Sequence, residues 1–183
     1  MDTMECILTR RSIRRFTARK VPEELVLELL EAVRWAPSWA NTQTWEVVVV
    51  KDPVSRQQLA KFVGNNPASK GVIEAPMAMV FCSRRGVSGA KNGVYSTVKG
   101  DWSMFDCALA CQNFCLAAHN RGLGTVYIGR FEHQEVDRLL GLPEGIESVV
   151  IIPLGYAAQE ARPSSRKELH EFVHAEKYGQ SYL

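Results

Sequence analysis

Four arginines lie within six residues near the start of the sequence, in the segment RRSIRRF at residues 10–16. The net charge of all 183 residues is only +2, so this segment is a local concentration of positive charge. A phosphate dianion accepts several charge-assisted hydrogen bonds at once, and the planar guanidinium group suits it better than a lysine ammonium group. Arg166 and Lys167 form a second basic pair far along the chain. We expect the two basic segments to converge on one phosphate group.

A solvated basic turn and a nucleic-acid-binding patch are alternative interpretations of the same arginines. Ser12 argues against both because it offers a hydroxyl group to an anion from within the cluster. Ile13 and Phe16 interrupt the charges with side chains suited to burial. A nucleic-acid-binding domain is also usually far more basic overall. We therefore expect no nucleic-acid partner.

Cysteines and histidines supply the other candidate ligands. Cys107, Cys111 and Cys115 recur every four residues and share one helix face. Metal and iron–sulfur ligands usually come from loops, and free cysteine is among the most buried residue types, so a core or interface role is favoured. The H-E-x-x-H match at residues 170–174 lies on a short predicted helix without an evident third ligand. We expect no metal site.

The composition is that of an ordinary globular protein, with 46% hydrophobic and 23% charged residues. The length suits one domain, residues 1–183. No apolar run reaches the ~18–20 residues of a membrane span, and the first residues lack the layout of a signal peptide. Five cysteines without paired spacing do not suggest a disulfide framework. We expect a cytoplasmic protein with no membrane partner.

Apolar periodicity predicts an α+β or α/β chain with more helix than four short strands need. Asp2, followed three residues later by Glu5, predicts the start of a first short helix. Helices are predicted at residues 2–10, 21–37, 53–64, 101–120 and 133–140 and in the tail; strands are predicted at residues 45–50, 77–82, 124–129 and 148–156. The polar, glycine-bearing residues 83–100 are typical of a mobile loop.

The predicted helix at residues 101–120 is apolar on nearly every side. One face of a sheet buries only one stripe of a helix. This helix must therefore run through the centre of the domain or be covered by a second subunit. We expect a homodimer.

Five motifs in one order resemble the FMN-dependent nitroreductase family in its short, single-domain form. They are RRSIRRF, APSWANTQTWEVVVV, AAHNRGLGTVYIG, IIPLGY and RPSSRKELHEFV, and the resemblance runs from Glu5 to about Lys177. It implies an α+β fold with a central, mostly antiparallel sheet of about four to five strands surrounded by helices. It also implies an intertwined homodimer with one FMN in each of two interface sites.

The resemblance implies flavin-binding roles for three groups of residues. They are Arg10, Arg11, Ser12, Arg14 and Arg166 around the flavin and its phosphate, Pro37, Ser38, Trp39, Asn41 and Gln43 from the partner subunit, and Tyr127, Ile128 and Gly129 at a strand end facing the central ring. In this scheme Arg14 stabilises negative charge on the reduced ring. A backbone N–H of Ile128 or Gly129 faces flavin N5.

The implied activity is FMN-dependent oxidoreduction. NADH or NADPH gives hydride to flavin N5 and leaves, and a nitroaromatic, a quinone or a similar small molecule then accepts it, which predicts ping-pong kinetics. The flavin carries the chemistry, so no protein residue is assigned as catalytic. Trp39, Tyr95 and Trp102 are candidate stacking surfaces for a planar acceptor.

The sequence departs from the family pattern in three places, and one of them is Arg11, where the family often has histidine or another small polar group. Thr44 stands where the family often has proline in Q-P-W, which loosens a turn but leaves the Gln43 amide and the indole of Trp45. Residues 83–100 replace the long helical insertion of larger members, so we expect a more open pocket or a mobile lid.

Two alternative functions stay open. One is a flavin-binding sensor or carrier without turnover. The other is reductive dehalogenation of a halotyrosine, which is disfavoured because Lys91 stands where the lid of such an enzyme would need an acid, although Tyr95 and Lys99 are present.

Overall fold

The computed structural model describes Met1–Leu183 and contains six helices and six strands. The helices are α1 (Thr3–Thr9), α2 (Glu23–Arg34), α3 (Pro53–Val63), α4 (Ser69–Glu74), α5 (Ser103–Asn120) and α6 (His133–Leu140). The strands are β1 (Trp45–Val50), β2 (Met77–Arg84), β3 (Ala90–Lys91), β4 (Val94–Tyr95), β5 (Gly124–Thr125) and β6 (Ile146–Gly155). Short 3₁₀ turns lie at Trp39–Asn41 and Leu169–Glu171.

Four strands form one antiparallel sheet in the order β1-β2-β6-β5. Successive side chains of a strand point to opposite faces, so β2 contributes to two cores. Met77, Met79 and Phe81 pack in one core with α2 and α5, and the intervening residues of β2 pack in the other beside α3 and α6. The expected α+β fold with a mostly antiparallel sheet is confirmed.

Helix α5 lies against the sheet and is buried on most of its circumference. The side chains of Cys107, Cys111 and Cys115 are buried in the core around Phe114, which confirms the packing role expected for this cysteine face. A stripe on the opposite side stays open to solvent; its members are Met104, Phe105, Ala108 and Gln112. The chain by itself therefore does not cover the whole helix.

Local sequence signals fix the ends of two helices as predicted. The Asp2 carboxylate accepts a hydrogen bond from the N–H of Glu5 at 2.8 Å and begins α1. Gly64 adopts φ 63° just after α3, where a residue with a side chain would be strained.

The structure differs from the sequence-based prediction in four elements. In the tail, the predicted helix is only the 3₁₀ turn Leu169–Glu171. The strand predicted at residues 124–129 is only the two-residue β5, followed by an isolated pairing of Ile128 with Ile151. Helix α4 was not predicted, because six residues are too few for a helical period to be recognised. Residues 83–100 begin inside β2 and contain the β3–β4 hairpin; their mobility stays a prediction. None of the helices is both long and apolar enough to cross a membrane.

Candidate functional site

The backbone of residues 10–16 is held against the sheet edge. The N–H of Ile13 donates to the carbonyl of Thr125 at 2.9 Å. Gly124 allows this close approach, since an added Cβ would lie 2.8 Å from the Ile13 side chain. Phe16 is 5% exposed and fixes the other end of the segment in the core. The apolar residues that interrupt the arginines thus anchor the segment, and the arginines between them are presented outward.

One arginine of the segment is committed to a structural ion pair. Arg15 binds the carboxylate of Glu74 at 2.8 Å, and the same carboxylate accepts the N–H of Phe16 at 3.1 Å. This hydrogen-bonded pair raises the pKa of Arg15 and lowers the pKa of Glu74. Arg15 is therefore neutralised within the chain, unlike its neighbours.

The remaining arginines line a cavity of about 140 Å³ that we call the basic cleft. Its lining residues are Arg10, Arg11, Ser12, Arg14, Arg162, Ser164 and Arg166. No acid lines it, and none of its five arginines takes part in an ion pair. The Nη1 atom of Arg10 is buried and has no hydrogen-bond partner. This donor set fits a phosphate, because a buried guanidinium nitrogen without an acceptor is costly unless an anion completes it.

The two basic segments therefore line one cavity, as the sequence predicted. The residues that line it are not all the ones that were predicted. Arg166 donates to the Ser164 hydroxyl at 2.7 Å, which orients its guanidinium group. Arg11 donates to the carbonyl of Leu8 at 2.6 Å, so one of its donors closes the end of α1 instead of facing the cleft. Arg162 was missed, because a lone arginine before Pro163 gives no signal until the path of the tail is known.

A wider cavity of about 470 Å³ adjoins the basic cleft. The two share Ser12, Arg14 and Arg162, and the wider one is otherwise lined by residues 159–161 and Ile13. A narrow charged end joined to a wider end suits a ligand with a phosphate tail and a larger body. Lys167, which the sequence paired with Arg166, lines neither cavity.

The strand end at residues 127–129 contains the two backbone N–H groups, of Ile128 and Gly129, that were predicted as candidate donors to flavin N5. The N–H and C=O of Ile128 are both paired with Ile151 at 3.0 Å, which excludes the Ile128 N–H as the donor to flavin N5. Gly129 is exposed, and its N–H makes no hydrogen bond within the chain. Tyr127 donates its hydroxyl to Gln112 at 3.0 Å, and burial raises the pKa of Tyr127. Of the two candidate donors, only Gly129 is available.

The segment at residues 37–43 forms a strained turn. Ala40, Asn41 and Gln43 all have positive φ, at 43°, 58° and 48°. The Ser38 hydroxyl accepts the N–H of Gln43 at 2.9 Å and stabilises the turn. Left-handed conformations at residues other than glycine cost about 1–3 kcal/mol each and cluster at ligand sites.

This turn does not reach the basic cleft of its own chain. Pro37, Ser38 and Trp39 instead line a mostly apolar cavity of about 340 Å³, together with Trp102, Phe105, Asp106 and Leu109. We call this cavity the aromatic cleft. Asn41 and Gln43 line a separate depression beside Arg34. The predicted flavin-binding residues of one chain therefore fall into separate groups.

Aromatic rings form one wall of the aromatic cleft. The rings of Trp39 and Trp102 lie 5.5 Å apart, and Phe105 meets Trp102 edge-on at 5.3 Å. Tyr95, the third predicted stacking residue, lies on the β3–β4 hairpin and does not line the cleft. Two of the three predicted stacking residues are thus brought together.

Asp106 is a residue of this site that sequence analysis missed. Its side chain is almost fully buried, and its carboxylate accepts from the Trp39 N–H at 3.0 Å and the Ser88 hydroxyl at 2.6 Å. The only sequence signal was a single acid inside an otherwise apolar helix. No group of three or more His, Cys, Asp or Glu side chains is arranged to hold a metal ion.

Comparisons with known proteins agree with this fold. Residues 7–156 match the sequence profile of the Nitroreductase family. A Methanothermobacter thermautotrophicus protein, provisionally named NADH dehydrogenase/NAD(P)H nitroreductase, is 34% identical over 97% of this chain and 88% of its own length. The NADPH-flavin oxidoreductase of Vibrio harveyi is 33% identical over 97% of this chain and 75% of its own length.

A solved structure gives the same result. The Vibrio harveyi NADPH:FMN oxidoreductase complexed with NAD+ superposes with a TM-score of 0.83 at 34% identity, covering 97% of this chain and 78% of that one. The chain belongs to the nitroreductase family, and the resemblance inferred from its motifs is confirmed.

Proposed function

We propose that this protein is an NAD(P)H-dependent flavin oxidoreductase whose basic cleft holds the phosphate of FMN. The observation that carries the proposal is the buried Nη1 atom of Arg10, which has no hydrogen-bond partner in the chain and lies among four further arginines without an acid. Relatives named NADPH-flavin oxidoreductase and FMN reductase (NADPH) support the cofactor and the reductant. A reducing cytoplasm suits a chain whose five cysteines are all free thiols.

The residues of the two adjoining cavities would divide the work of holding FMN. Arg10 and Arg166 bind the phosphate, and Arg14 lies in both cavities, where its fixed charge balances negative charge on the ring. The free N–H of Gly129 orients the ring edge. When bound, FMN supplies hydride transfer at N5, so no protein acid or base is needed.

A homodimer completes the site. The strained turn at residues 37–43 lies away from its own basic cleft, so we infer that it covers the flavin of the partner subunit. The open stripe of α5 with Met104 and Phe105, and the exposed side chains of Ile7 and Leu8 on neighbouring α1, supply an apolar surface for that contact. The oligomeric state, measured by light scattering, tests this part of the proposal.

The acceptor is a planar small molecule such as a nitroaromatic or a quinone. The aromatic cleft is apolar and lined by Trp39 and Trp102, which suits stacking of such a ring. Because reductant and acceptor use one flavin in turn, steady-state kinetics at varied concentrations of both should give the parallel lines of a ping-pong mechanism.

Absorption and anaerobic stopped-flow spectroscopy test the proposal directly. The purified protein should be yellow, should release FMN on denaturation, and should bleach on mixing with NADH or NADPH. A yellow protein that neither nicotinamide bleaches would be a flavin-binding sensor or carrier. A protein that stays colourless with excess FMN would contradict the proposed cofactor.

A further inference from the structure

The Asp106 carboxylate lies at the junction of three segments and is 1% exposed. It accepts from the Trp39 N–H at 3.0 Å, the Thr42 hydroxyl at 3.4 Å and the Ser88 hydroxyl at 2.6 Å. It forms no ion pair, so neutral donors alone stabilise this buried charge. Such an arrangement is rigid, because each lost donor leaves a buried charge less well satisfied.

Two of the donors belong to the turn that carries Trp39, and the third belongs to the loop against which Trp102 packs. The Trp39 N–H and Thr42 hydroxyl come from the strained turn, and Ser88 comes from the loop after β2. The carbonyl of Ser88 in turn accepts the N–H of Trp102 at 3.2 Å. Asp106 thereby ties the backbone of Trp39 to the backbone of Trp102 through one intervening serine.

The loop is shaped to bring Trp102 close. An added Cβ at Gly89 would lie 2.6 Å from a ring atom of Trp102, so only glycine lets this indole pack against the loop. The Trp102 Nε1 atom also donates to the Thr97 hydroxyl at 3.3 Å. The position of the ring is therefore set on both sides, by the loop and by the link to Asp106.

We propose that Asp106 is a positioning residue that holds Trp39 and Trp102 at the spacing needed to stack a planar electron acceptor. The inference rests on the proposed oxidoreductase function and adds a determinant of acceptor selectivity to it. Asp106 lies beneath the wall of the cleft, and its effect on the acceptor is transmitted through the two indoles. The KM for acceptors that do not stack should not change when Asp106 is replaced.

The test compares Asp106→Asn with the unaltered protein in two measurements. The first is the exciton signal of the paired indoles in the circular dichroism spectrum, recorded without FMN. The second is steady-state reduction of menadione, a planar quinone, and of ferricyanide, which does not stack. An asparagine keeps the shape, but its NH₂ group can only donate to the Ser88 and Thr42 hydroxyls, so these bonds reverse and the buried Ser88 hydroxyl hydrogen loses its acceptor. Asp106→Ala removes all three bonds and is measured beside it.

We expect the exciton signal of Asp106→Ala to fall to the level of Trp102→Phe. The KM for menadione should rise about fivefold, the affinity that one aromatic stacking contact contributes, with kcat little changed. The KM for ferricyanide should stay the same. Gly89→Ala displaces the Trp102 ring while leaving Asp106 intact, so it should lose the exciton signal and raise the KM for menadione in the same way. It replaces the Asp106 variants in the test if they do not fold.

Asp137→Asn is the matched control, because Asp137 accepts the Ser148 N–H at 2.9 Å beside the other core and touches neither indole. An unchanged exciton signal in folded Asp106→Ala, or equal KM increases for menadione and ferricyanide, would overturn the proposal. A wild-type protein that binds no FMN would reject the proposed function instead. The exciton measurement would then still decide whether Asp106 holds the pair.

Discussion

The basic cleft and the aromatic cleft both contain buried charge, but they treat it in opposite ways. In the basic cleft the Arg10 guanidinium has a buried nitrogen with no partner and further arginines as neighbours. In the aromatic cleft the Asp106 carboxylate is fully buried and accepts from three donors of its own chain. A buried charged group without a hydrogen-bond partner in the chain indicates a ligand-binding site. A buried charged group whose partners all lie in the chain indicates a structural role.

The largest expected effect is the loss of FMN binding in Arg10→Ala. Removing a buried, charge-assisted phosphate contact should cost about 3 kcal/mol, or roughly a hundredfold in Kd. The stability of the cofactor-free protein should not fall, because the lost guanidinium was repelled by its neighbours. Titration of the apoprotein with FMN and urea unfolding without FMN measure the two effects.

Arg15→Ala is the control within the same segment. Arg15 is paired with Glu74, so its removal should leave the FMN affinity unchanged and lower the stability only slightly, because a solvent-exposed ion pair contributes little. Equal losses of FMN affinity in Arg10→Ala and Arg15→Ala would contradict the distinction between compensated and uncompensated charge.

The opposite pattern is expected for Asp106→Ala. Three donors lose their acceptor in a buried site, so unfolding should become easier by about 2–3 kcal/mol. Urea unfolding of the cofactor-free protein measures this loss. FMN phosphate binding should be weakened far less than in Arg10→Ala, and a comparable weakening would show that the two clefts are not separable.

A third effect concerns pH and the carboxylate of Asp101 at the base of the loop. Burial would raise the pKa of Asp101, but the N–H groups of Gly86 and Ser103 outweigh it. Together with the Arg85 guanidinium they lower the pKa of Asp101 to about 2. Its unfolded pKa is about 3.9, so it contributes about 2 kcal/mol that is present above pH ~4 and lost as the pH falls toward 2.

Urea unfolding of the protein and of Asp101→Asn at several pH values checks this. The stability difference should be largest at neutral pH and should shrink with acidification. A constant difference would mean that the variant acts through packing and not through the charge. In that case the charge of Asp101 would not be what holds the loop.

The smallest expected effect is that of Arg166→Ala. Arg166 lines the basic cleft from the tail and is partly engaged with Ser164, so its loss should weaken FMN binding about tenfold. Binding of riboflavin, which lacks the phosphate, should be unaffected. A similar loss for riboflavin would place Arg166 at the ring and not at the phosphate.

The sequence was sufficient to predict the basic cleft because charge clusters are local. Arg10 and Arg14 lie in one short segment that also contains Arg11 and Arg15, and Arg166 repeats the signal far away. The sheet was predictable for the same reason, since the β-branched run of β1 needs only its own residues to be recognised. Features that depend on the residues of one segment can therefore be predicted from that segment alone.

Features that depend on two segments were not predictable. The pairing of Ile128 with Ile151 removes a backbone donor, and no pattern in either segment reveals it. The role of Asp106 depends on the approach of Trp39 and Ser88, which are 67 and 18 positions away. Backbone hydrogen-bond partners and buried charges are settled by tertiary packing, which overrides local preference.

The construction of the basic cleft has a consequence for biosynthesis. One wall comes from residues 10–14 and the other from residues 162–166, whereas every strand of the sheet is complete by Gly155. A chain cut short before Arg162 would retain all its strands and lack half of its grip on the anion. Such a truncated translation product should therefore bind the proposed cofactor more weakly, although its sheet is intact.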